Sequence, residues 1–180
     1  MIIFYSIVLG FVVVVMLVMT FYTVATLVGV IRARGVPFVP LTKKQIAYLN
    51  ESVKLKPEDK VVDLGCGEGR VLRLFEKQGV KVLDGYEVNL WACFLAKVKN
   101  RIYKSKVNIY HQNFNTINIG KYNIVFCYLL EEYLVRLREK FDKELRPGTK
   151  VICFSFKIKD WREPVQIIRN EKHKIFIYEI

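Results

Sequence analysis

The sequence predicts an α/β protein with a doubly wound, mostly parallel sheet and an antiparallel edge, preceded by one N-terminal transmembrane helix. Three observations support this fold class. Residues 2–31 contain no charged side chain and no proline, and from residue 60 onward short apolar runs alternate with segments of helical periodicity. Two strand-like segments then follow one another directly. The first pattern indicates the anchor, the second a parallel sheet, and the third its antiparallel edge.

The N-terminal apolar segment is long enough to cross a bilayer. As a helix, residues 2–31 would extend about 45 Å, at roughly 1.5 Å per residue, against a hydrocarbon core of about 30 Å. A core helix rarely stays apolar on every face, and a signal peptide has a basic start and a shorter apolar region. We therefore interpret the segment as a retained anchor. The cations Arg32, Arg34, Lys43 and Lys44 follow it, so the positive-inside rule puts the remaining chain in the cytoplasm.

The part of the chain beyond the anchor is strongly basic. All 29 Lys and Arg and all 17 Asp and Glu lie there, so this part alone carries the formal net charge of +12. The run KVKNRIYKSK, residues 97–106, has cations and no acid. With an anchor nearby, attraction to anionic lipid is the preferred explanation, and a solvated helix face is the alternative. Nucleic-acid binding is disfavoured because no aromatic stacking motif accompanies the basic run.

The cysteines and histidines do not form a metal-binding or disulfide pattern. No CxxC pair occurs among the four cysteines, and His111 and His173 are the two histidines. We predict no metal site and no disulfide framework, and four free, mostly buried thiols fit a reducing cytoplasm. These cysteines are Cys66, Cys93, Cys127 and Cys153.

The remaining elements follow in order from residue 35. Pro37 and Pro40 favour an extended connector, and Thr42 is placed to cap a helix over residues 43–53. Further helices are predicted over residues 68–78, 89–103 and 130–145. Strands are predicted over residues 60–64, 80–86, 107–111, 122–129, 150–156, 165–169 and 174–180. The chain thus divides into an anchor (1–34), a connector with a short helix (35–59) and an α/β domain (60–180).

The helix over residues 89–103 and the last predicted helix each have an apolar face. In the first, the face consists of Leu90, Phe94, Leu95, Val98 and Ile102. In the second, the face consists of Leu130, Leu134, Leu137, Phe141 and Leu145.

The stretch VVDLGCGEGR, residues 61–70, joins a predicted strand to a predicted helix through Gly65, Gly67 and Gly69. Residues without a Cβ let the backbone bend sharply and bring its N–H groups close to a ligand. Arg70 stands where a dinucleotide-binding turn has its third glycine, so the pattern is GxGxG rather than GxGxxG. This spacing disfavours NAD and FAD and leaves other nucleotides open.

Three polar residues accompany the glycine turn. Glu87, at the end of the next strand, is placed to accept hydrogen bonds from the ribose hydroxyls of an adenosine ligand. Asp63 is predicted to order the glycine loop and to face the amino-acid end of a cationic ligand, with a structural carboxylate as the alternative. Asn113 is placed to accept from an adenine amino group, with Phe114 against the ring.

Together these residues resemble the S-adenosylmethionine site of class I, seven-strand methyltransferases, which have a Rossmann-like sheet. In that superfamily, VVDLGCGEG and an acidic end to strand two are the usual signature, and an aspartate often takes the place of Asn113. The resemblance implies S-adenosyl-L-methionine as cofactor. The residues implied to bind it are Asp63, Gly65, Cys66, Gly67, Gly69, Glu87 and Asn113.

The order of segments along the chain is similar to that of the membrane-anchored protein-lysine methyltransferases. These are the enzymes that modify the ADP/ATP carrier or the c-subunit of ATP synthase, and their prokaryotic relatives. The segments, in order, are the anchor, VPFVPLTKKQ, VVDLGCGEGR, GYEVNLW and FKIKDW. The resemblance implies that an integral membrane protein is the lysine substrate, and that Pro37, Phe38, Thr42 and Gln45 form a lid over cofactor and acceptor. After the fifth strand the sequence departs from the family and keeps only Phe156 and Trp161. We expect a prokaryotic plasma membrane, since no transit-type segment precedes the span.

Methyl transfer from a sulfonium needs an aligned nucleophile, and proximity and orientation can supply roughly 7 to 11 kcal/mol. A lysine acceptor must first lose its proton, which costs about 4.6 kcal/mol at pH 7. Desolvation beside a cationic cofactor lowers this cost, so no catalytic base is predicted. Trp161 is expected to line the acceptor channel, whereas Trp91 fits that role or core packing.

The segment YLLEEY, residues 128–133, lacks the Asn/Asp-Pro-Pro-aromatic turn typical of enzymes that methylate adenine or glutamine. The missing turn counts against methylation of DNA adenine or of glutamine. Glu131 or Glu132 could steer a lysine, or could simply be acids favoured at a helix N-terminus. The other functions considered are a membrane lipid or quinone methyltransferase and a non-catalytic S-adenosylmethionine-binding scaffold.

Overall fold

A computed structural model of the chain describes residues 1–32 and 39–180. Pro37 and Phe38, two residues of the predicted lid, lie outside this part. The helices are α1 (Ile2–Arg32), α2 (Lys43–Ser52), α3 (Arg70–Lys77), α4 (Leu90–Ile102) and α5 (Glu131–Glu144), with a short 3₁₀ turn at Phe114–Thr116. The strands are β1 (Lys60–Leu64), β2 (Val82–Glu87), β3 (Asn108–His111), β4 (Ile124–Cys127), β5 (Lys150–Phe154), β6 (Gln166–Arg169) and β7 (Lys174–Glu179).

The strands form one seven-stranded sheet in the order β3-β2-β1-β4-β5-β7-β6. Strands β1 to β5 pair in parallel, and β7 pairs antiparallel with both β5 and β6. The predicted fold class is confirmed, including the antiparallel edge. The strand that runs antiparallel to its neighbours is β7, which lies second from the end of the sheet. Each predicted strand and helix of the α/β domain is present, and its bounds differ from the predicted ones by at most two residues at either end.

The strand order places a crevice beside β1. The chain moves outward from β1 to β2 and β3, and then returns to the other side of β1 to add β4 and β5. In open α/β sheets, ligands bind outside the carboxyl ends of the strands where the order reverses in this way. The glycine turn that follows β1 therefore lies at the natural binding position of the fold.

Helices cover both faces of the sheet, which is why its central strands are apolar almost throughout. On one face, Val61 of β1 and Phe126 of β4 pack with residues of α2 and α3 such as Leu49 and Phe75. On the other face, the side chains of β1, β4 and β5 pack against α5. Two buried layers thus hold the carboxyl ends of the parallel strands in fixed positions.

Helix α4 packs on the sheet through its small residues. Ala92, Cys93 and Ala96 are its buried side chains, whereas the apolar face recognised in the sequence points away from the sheet. An amphipathic helix normally buries its apolar stripe, so periodicity alone could not indicate that α4 does the reverse. Small side chains explain the arrangement, since they let the helix axis approach the sheet closely.

Helix α1 extends away from the domain and contacts it near the start of α4. Within the described residues, it is the one helix long and apolar enough to cross a membrane, with 23 residues from Ile3 to Ala25 and a mean hydropathy of 2.7. The rings of Phe21 and Tyr22 meet the edge of Trp91, with centroids 5.9 and 5.6 Å away. Trp91 of α4 therefore packs against α1, outside the two buried clusters of the α/β domain.

Candidate active site

The glycine turn is built from three residues in the left-handed region. Gly65, Gly67 and Gly69 have φ values of +82°, +53° and +73°, which side chains with a Cβ adopt only with strain. The N–H groups of Gly65 and Cys66 both donate to the carbonyl of Tyr86, at 2.9 and 3.1 Å. The turn is thus tied to the carboxyl end of β2.

A fourth glycine, Gly85, which the sequence reasoning missed, leaves room for the turn to pack closely on β2. Gly85 in β2 pairs with Asp63 in β1. A Cβ built at this position would lie 2.6 Å from the sulfur of Cys66 and 2.6 Å from a methyl group of Leu72. The signal was a glycine inside a predicted strand, which often marks close approach of another part of the chain.

Cys66 turns its thiol inward, toward Gly85, and is buried. Burial, with the charge of Asp63, raises the pKa of this thiol well above its ordinary value. A neutral buried thiol is a poor nucleophile. A contact of Cys66 with a ligand would therefore involve its backbone rather than its sulfur.

Glu87 joins the end of β2 to the turn. One carboxylate oxygen accepts from the N–H of Gly67 at 2.9 Å, and the other accepts from the N–H groups of Val88 and Asn89, at 2.8 Å each. Burial raises the pKa of Glu87, and these three hydrogen bonds oppose the rise by stabilising the charged form. A carboxylate has about four lone-pair positions, so capacity remains for a ligand hydroxyl.

Asp63 is the unusual group of the site. Its side chain is buried, at 3% exposure for the residue, and within residues 1–32 and 39–180 neither a hydrogen bond nor an ion pair reaches its carboxylate. Burial and the negative charge of Glu87 raise the pKa of Asp63 well above its ordinary value. An isolated buried carboxylate is unfavourable unless a cation lies beside it. Together, Glu87 and Asp63 therefore fit a ligand that carries both a ribose and a positive charge, as S-adenosyl-L-methionine does.

Asn113 lies near Glu87 but is engaged in local structure. Its side-chain oxygen accepts from the N–H of Asn115 at 2.9 Å and caps the 3₁₀ turn. Phe114 is buried in the core with Tyr86 rather than turned toward the crevice. His111, two residues earlier, pairs with Glu87 across β2 and β3. The structure thus brings Asn113 to the predicted neighbourhood while giving its oxygen a partner.

The predicted acceptor residue Trp161 lies elsewhere. Its ring packs on Phe141 and Tyr178, with centroids 5.6 and 5.2 Å away, and its N–H donates to Asp142. Tyr178 pairs with Val151 near the amino end of β5. Trp161 is therefore remote from the carboxyl ends of the strands, because the chain after β5 turns back along α5. This position does not support a role in an acceptor channel.

The two described lid residues form the capping box of α2. The N–H of Gln45 donates to the hydroxyl of Thr42 at 3.3 Å, and the N–H of Thr42 donates to the side-chain oxygen of Gln45 at 2.8 Å. Arg70, directly after the glycine turn, donates to the carbonyl of Leu41. The start of α2 is thus held beside the turn, with its Thr42 and Gln45 side chains used for capping.

An aromatic cluster, consisting of Tyr48, Tyr128, Phe154 and His173, stands beside the crevice. Phe154 ends β5, and its ring lies 5.7 Å from Tyr128 and 5.8 Å from His173. Tyr48 of α2 lies 5.7 Å from His173. Sequence reasoning missed this cluster because its members come from four separate segments that only the fold brings together.

A cleft of about 290 Å³ opens next to the aromatic cluster. It is lined by Lys44, Tyr48, Asn170, Glu171, Lys172 and His173. The Tyr48 hydroxyl is buried and has no hydrogen-bond partner in the described part of the chain. Buried hydroxyls are normally paired, so an unpaired one beside a cleft marks a position for a polar ligand group. Within residues 1–32 and 39–180, no group of three or more His, Cys, Asp or Glu is arranged to hold a metal ion.

The sheet order, the glycine turn and the paired carboxylates define a class I S-adenosyl-L-methionine-dependent methyltransferase. A solved structure with the same fold is the RNA methyltransferase from Salinibacter ruber in complex with S-adenosyl-L-homocysteine. It has a TM-score of 0.72 and 23% identity, and the match covers 79% of this chain and 94% of that one.

Sequence relatives identify the family within this class. The family described as the ANTKMT methyltransferase domain matches residues 63–166. A protein-lysine N-methyltransferase from Saccharolobus islandicus (strain REY15A) is 32% identical over 152 residues, which cover 81% of this chain and 94% of that protein. The chain belongs to this family of protein-lysine methyltransferases.

Two mouse proteins show more distant similarity. The adenine nucleotide translocase lysine N-methyltransferase is 26% identical over 81% of this chain, and the lysine N-methyltransferase of the ATP synthase c-subunit is 27% identical over 79%. The matches span 63% and 59% of the lengths of these two mouse proteins.

Proposed function

We propose that this enzyme methylates the side-chain amine of a lysine in an integral membrane protein, at the cytoplasmic surface of a prokaryotic plasma membrane to which α1 anchors it. The observation that carries the proposal is the contact of Phe21 and Tyr22 with Trp91. Trp91 follows the Glu87 end of β2 closely, so the anchor meets the domain on the side of the cofactor crevice. The names of the two mouse relatives, whose substrates are membrane proteins, support the same kind of acceptor.

The cofactor side of the reaction depends on the glycine turn and its two carboxylates. S-adenosyl-L-methionine supplies a methyl group on a positively charged sulfur. Glu87, fixed by three backbone N–H groups, is positioned to accept from ribose hydroxyls. Burial and the charge of Glu87 raise the pKa of Asp63, and a cationic ligand beside its carboxyl group would lower that pKa, so the site favours a cationic ligand over a neutral one.

The acceptor side is the cleft next to the aromatic cluster. A lysine side chain entering there would pass along Tyr48 and His173, and aromatic faces attract an ammonium group as it arrives. Burial in the cleft then favours loss of the proton, and the nearby charges of Lys44 and Lys172 act in the same direction, although Glu171 opposes them. The unpaired hydroxyl of Tyr48 is placed to accept a hydrogen bond from the neutral amine.

The proposal is tested by incubating the detergent-solubilised full chain with membranes of its own organism and S-adenosyl-L-methionine labelled in the methyl group. We expect label in a small membrane protein, with mass spectrometry placing one to three added methyl groups on a lysine. Asp63→Asn should remove the labelling, and the exposed control Asp160→Asn should keep it.

Tyr48→Phe tests the acceptor cleft separately, because it should leave cofactor binding unchanged while slowing transfer. Label that appeared only in the organic extract would show a lipid or quinone methyltransferase instead. Cofactor binding without label in any fraction would show a non-catalytic scaffold. Labelling that persisted in Asp63→Asn would contradict the proposed site.

A further inference from the structure

The outward side of α4 carries a continuous apolar stripe. Leu90, Phe94, Val98 and Ile102 follow one another at intervals of four residues, so they share one side of the helix. Their exposures are 42%, 50%, 38% and 67%. We call these four side chains the α4 outer face. They lie opposite Ala92, Cys93 and Ala96, through which the helix packs on the sheet, and a contiguous exposed stripe of large apolar side chains marks an interaction surface.

Basic side chains border the α4 outer face. Lys97 and Arg101 lie on the same side of the helix and Lys104 follows its end, and none of the three forms an ion pair within the described residues. Lys99 differs, because it turns inward and pairs with Glu68 beside the glycine turn. No Asp or Glu occurs between Leu90 and Ile102. An apolar stripe with cations at its borders is the pattern of a helix that lies in the surface of an anionic bilayer.

The α4 outer face is continuous with the anchor. Trp91 stacks on Phe94 with centroids 5.6 Å apart, and its ring also contacts Phe21 and Tyr22 of α1. Both α1 residues lie in the last turns of the apolar span Ile3–Ala25. Aromatic residues at the end of a span sit at the level of the lipid headgroups. The start of α4 is therefore held at the depth where an interfacial helix lies.

We propose that the α4 outer face inserts into the headgroup region of an anionic bilayer and forms a second membrane contact beside the α1 span. The inference rests on the anchoring by α1 proposed above. The contact would hold the domain at a fixed tilt, with the carboxyl ends of β2 and β1 close to the lipid surface. A membrane protein in the same bilayer could then present a lysine near the surface to the crevice.

Spin labels on single cysteines test this contact in the full chain. The four native cysteines are buried, so an added exposed cysteine reacts selectively. Labels at Phe94→Cys and Ile102→Cys report the α4 outer face, a label at Val13→Cys reports the span, and a label at the exposed Glu139→Cys reports solvent. The protein is reconstituted into phosphatidylcholine vesicles with and without phosphatidylglycerol, and relaxation by oxygen and by a water-soluble nickel chelate is compared.

In vesicles with phosphatidylglycerol, labels at 94 and 102 should be relaxed mainly by oxygen and the label at 139 mainly by nickel. The double variant Lys97→Gln with Arg101→Gln should lower, about 30-fold, the ratio of protein with the α4 outer face in lipid to protein with this face in water. The factor follows from the loss of about 1 kcal/mol for each of the two basic side chains near an anionic surface. The control Lys143→Gln with Arg146→Gln, which removes two charges from the end of α5, should leave the ratio unchanged.

Several outcomes would overturn the inference, and they separate it from the proposed anchoring. If the labels at 94 and 102 behave like the label at 139 while the label at 13 is in lipid, the anchor stands and the second contact is refuted. If the label at 13 is also in water, the anchoring itself fails. Dipolar broadening between labels at 94 in sparsely loaded vesicles would show that a second copy of the chain covers this face.

Discussion

Asp63 and Glu87 are two buried carboxylates that one glycine turn holds together, and they differ in how they are satisfied. Glu87 accepts three backbone hydrogen bonds, whereas Asp63 has no partner among the described side chains and backbone groups. The pKa of Asp63 is raised by its burial and by the charge of Glu87. Its charged form therefore destabilises the free protein and is available to stabilise a bound cation.

The first prediction is a pH dependence set by Asp63. The folded protein holds the Asp63 proton more tightly than the unfolded chain does, so this group's contribution to stability falls as pH rises from about 3.9 through its raised pKa. A cationic cofactor prefers the carboxylate and lowers its pKa, so affinity should rise across the same window and binding should release a proton. Calorimetry in buffers of different ionisation enthalpy measures that release.

Asp63→Asn should abolish the proton release and, without cofactor, raise the free energy of unfolding at neutral pH. Asp160→Asn, at an exposed position, should change neither quantity. Affinity independent of pH in the unmodified protein would contradict the assignment of Asp63.

The second prediction concerns Glu87→Gln. A glutamine has one side-chain oxygen, so at least one of the three N–H groups now bound by Glu87 would face an amide NH₂ instead. An unsatisfied buried N–H costs about 1 to 3 kcal/mol, and urea unfolding should show a loss of that size together with weaker cofactor binding. The exposed Glu139→Gln serves as the control. Unchanged stability and affinity in Glu87→Gln would refute the linking role of Glu87.

At the scale of elements, the third prediction uses the fit between the glycine turn and β2. Gly85→Ala would place a methyl group 2.6 Å from both Cys66 and Leu72, and overpacking of this kind costs about 1 to 3 kcal/mol. Because Cys66 belongs to the turn, cofactor affinity should fall as well. Thermal unfolding and calorimetry measure the two effects.

Gly148→Ala is the matched control for crowding. Gly148 has a φ of +83° with no heavy atom within 4 Å of the position of a Cβ, so alanine there brings strain without a clash. We expect it to lower stability by about 1 kcal/mol and to leave cofactor affinity unchanged. Equal losses of affinity in the two variants would show that the fit against Cys66 is unimportant.

The sequence was sufficient to predict the fold because each element has a local signal. Short apolar runs, period-3.6 patterns, the glycine turn and the capping threonine lie within short stretches, and the structure confirms the elements that they indicate. The same holds for the meeting of Glu87 with the glycine turn, because neighbouring parallel strands end at one edge of a sheet.

Features that depend on distant segments could not be predicted in this way. The direction of the α4 stripe depends on which side carries small residues, and the aromatic cluster depends on α2 and the β6–β7 turn meeting at the end of β5. Trp161 was expected to line the acceptor channel, but the path of the chain after β5 carries it toward Tyr178. In each case the missing information was tertiary rather than local.

At the scale of the whole molecule, the protein combines an apolar span with a formal net charge of +12. The two attractions differ in their response to salt. At about 1 M salt the screening length is about 3 Å, which removes most attraction between exposed charges and lipid headgroups, whereas burial of apolar surface is retained. A membrane-spanning protein and a surface-bound basic protein can therefore be distinguished by a salt wash.

The fourth prediction is that membranes keep the full chain through such a wash. A variant lacking residues 2–32 should instead be released by salt, while still sedimenting with anionic vesicles at low salt through its basic surface. Fractionation with detection of the protein in pellet and supernatant measures both. Release of the full chain by salt alone would contradict the proposed anchoring.

Strand β7 is the last of the seven along the chain but has a neighbour on either side, β5 and β6. During synthesis β5 therefore emerges with one edge open, and its unpaired N–H and C=O groups can join strands of other nascent chains. That interval closes only when residues 174–179 have left the ribosome. A premature stop codon that removed just this strand would leave β6 with no sheet to join, and such short products should be cleared as misfolded.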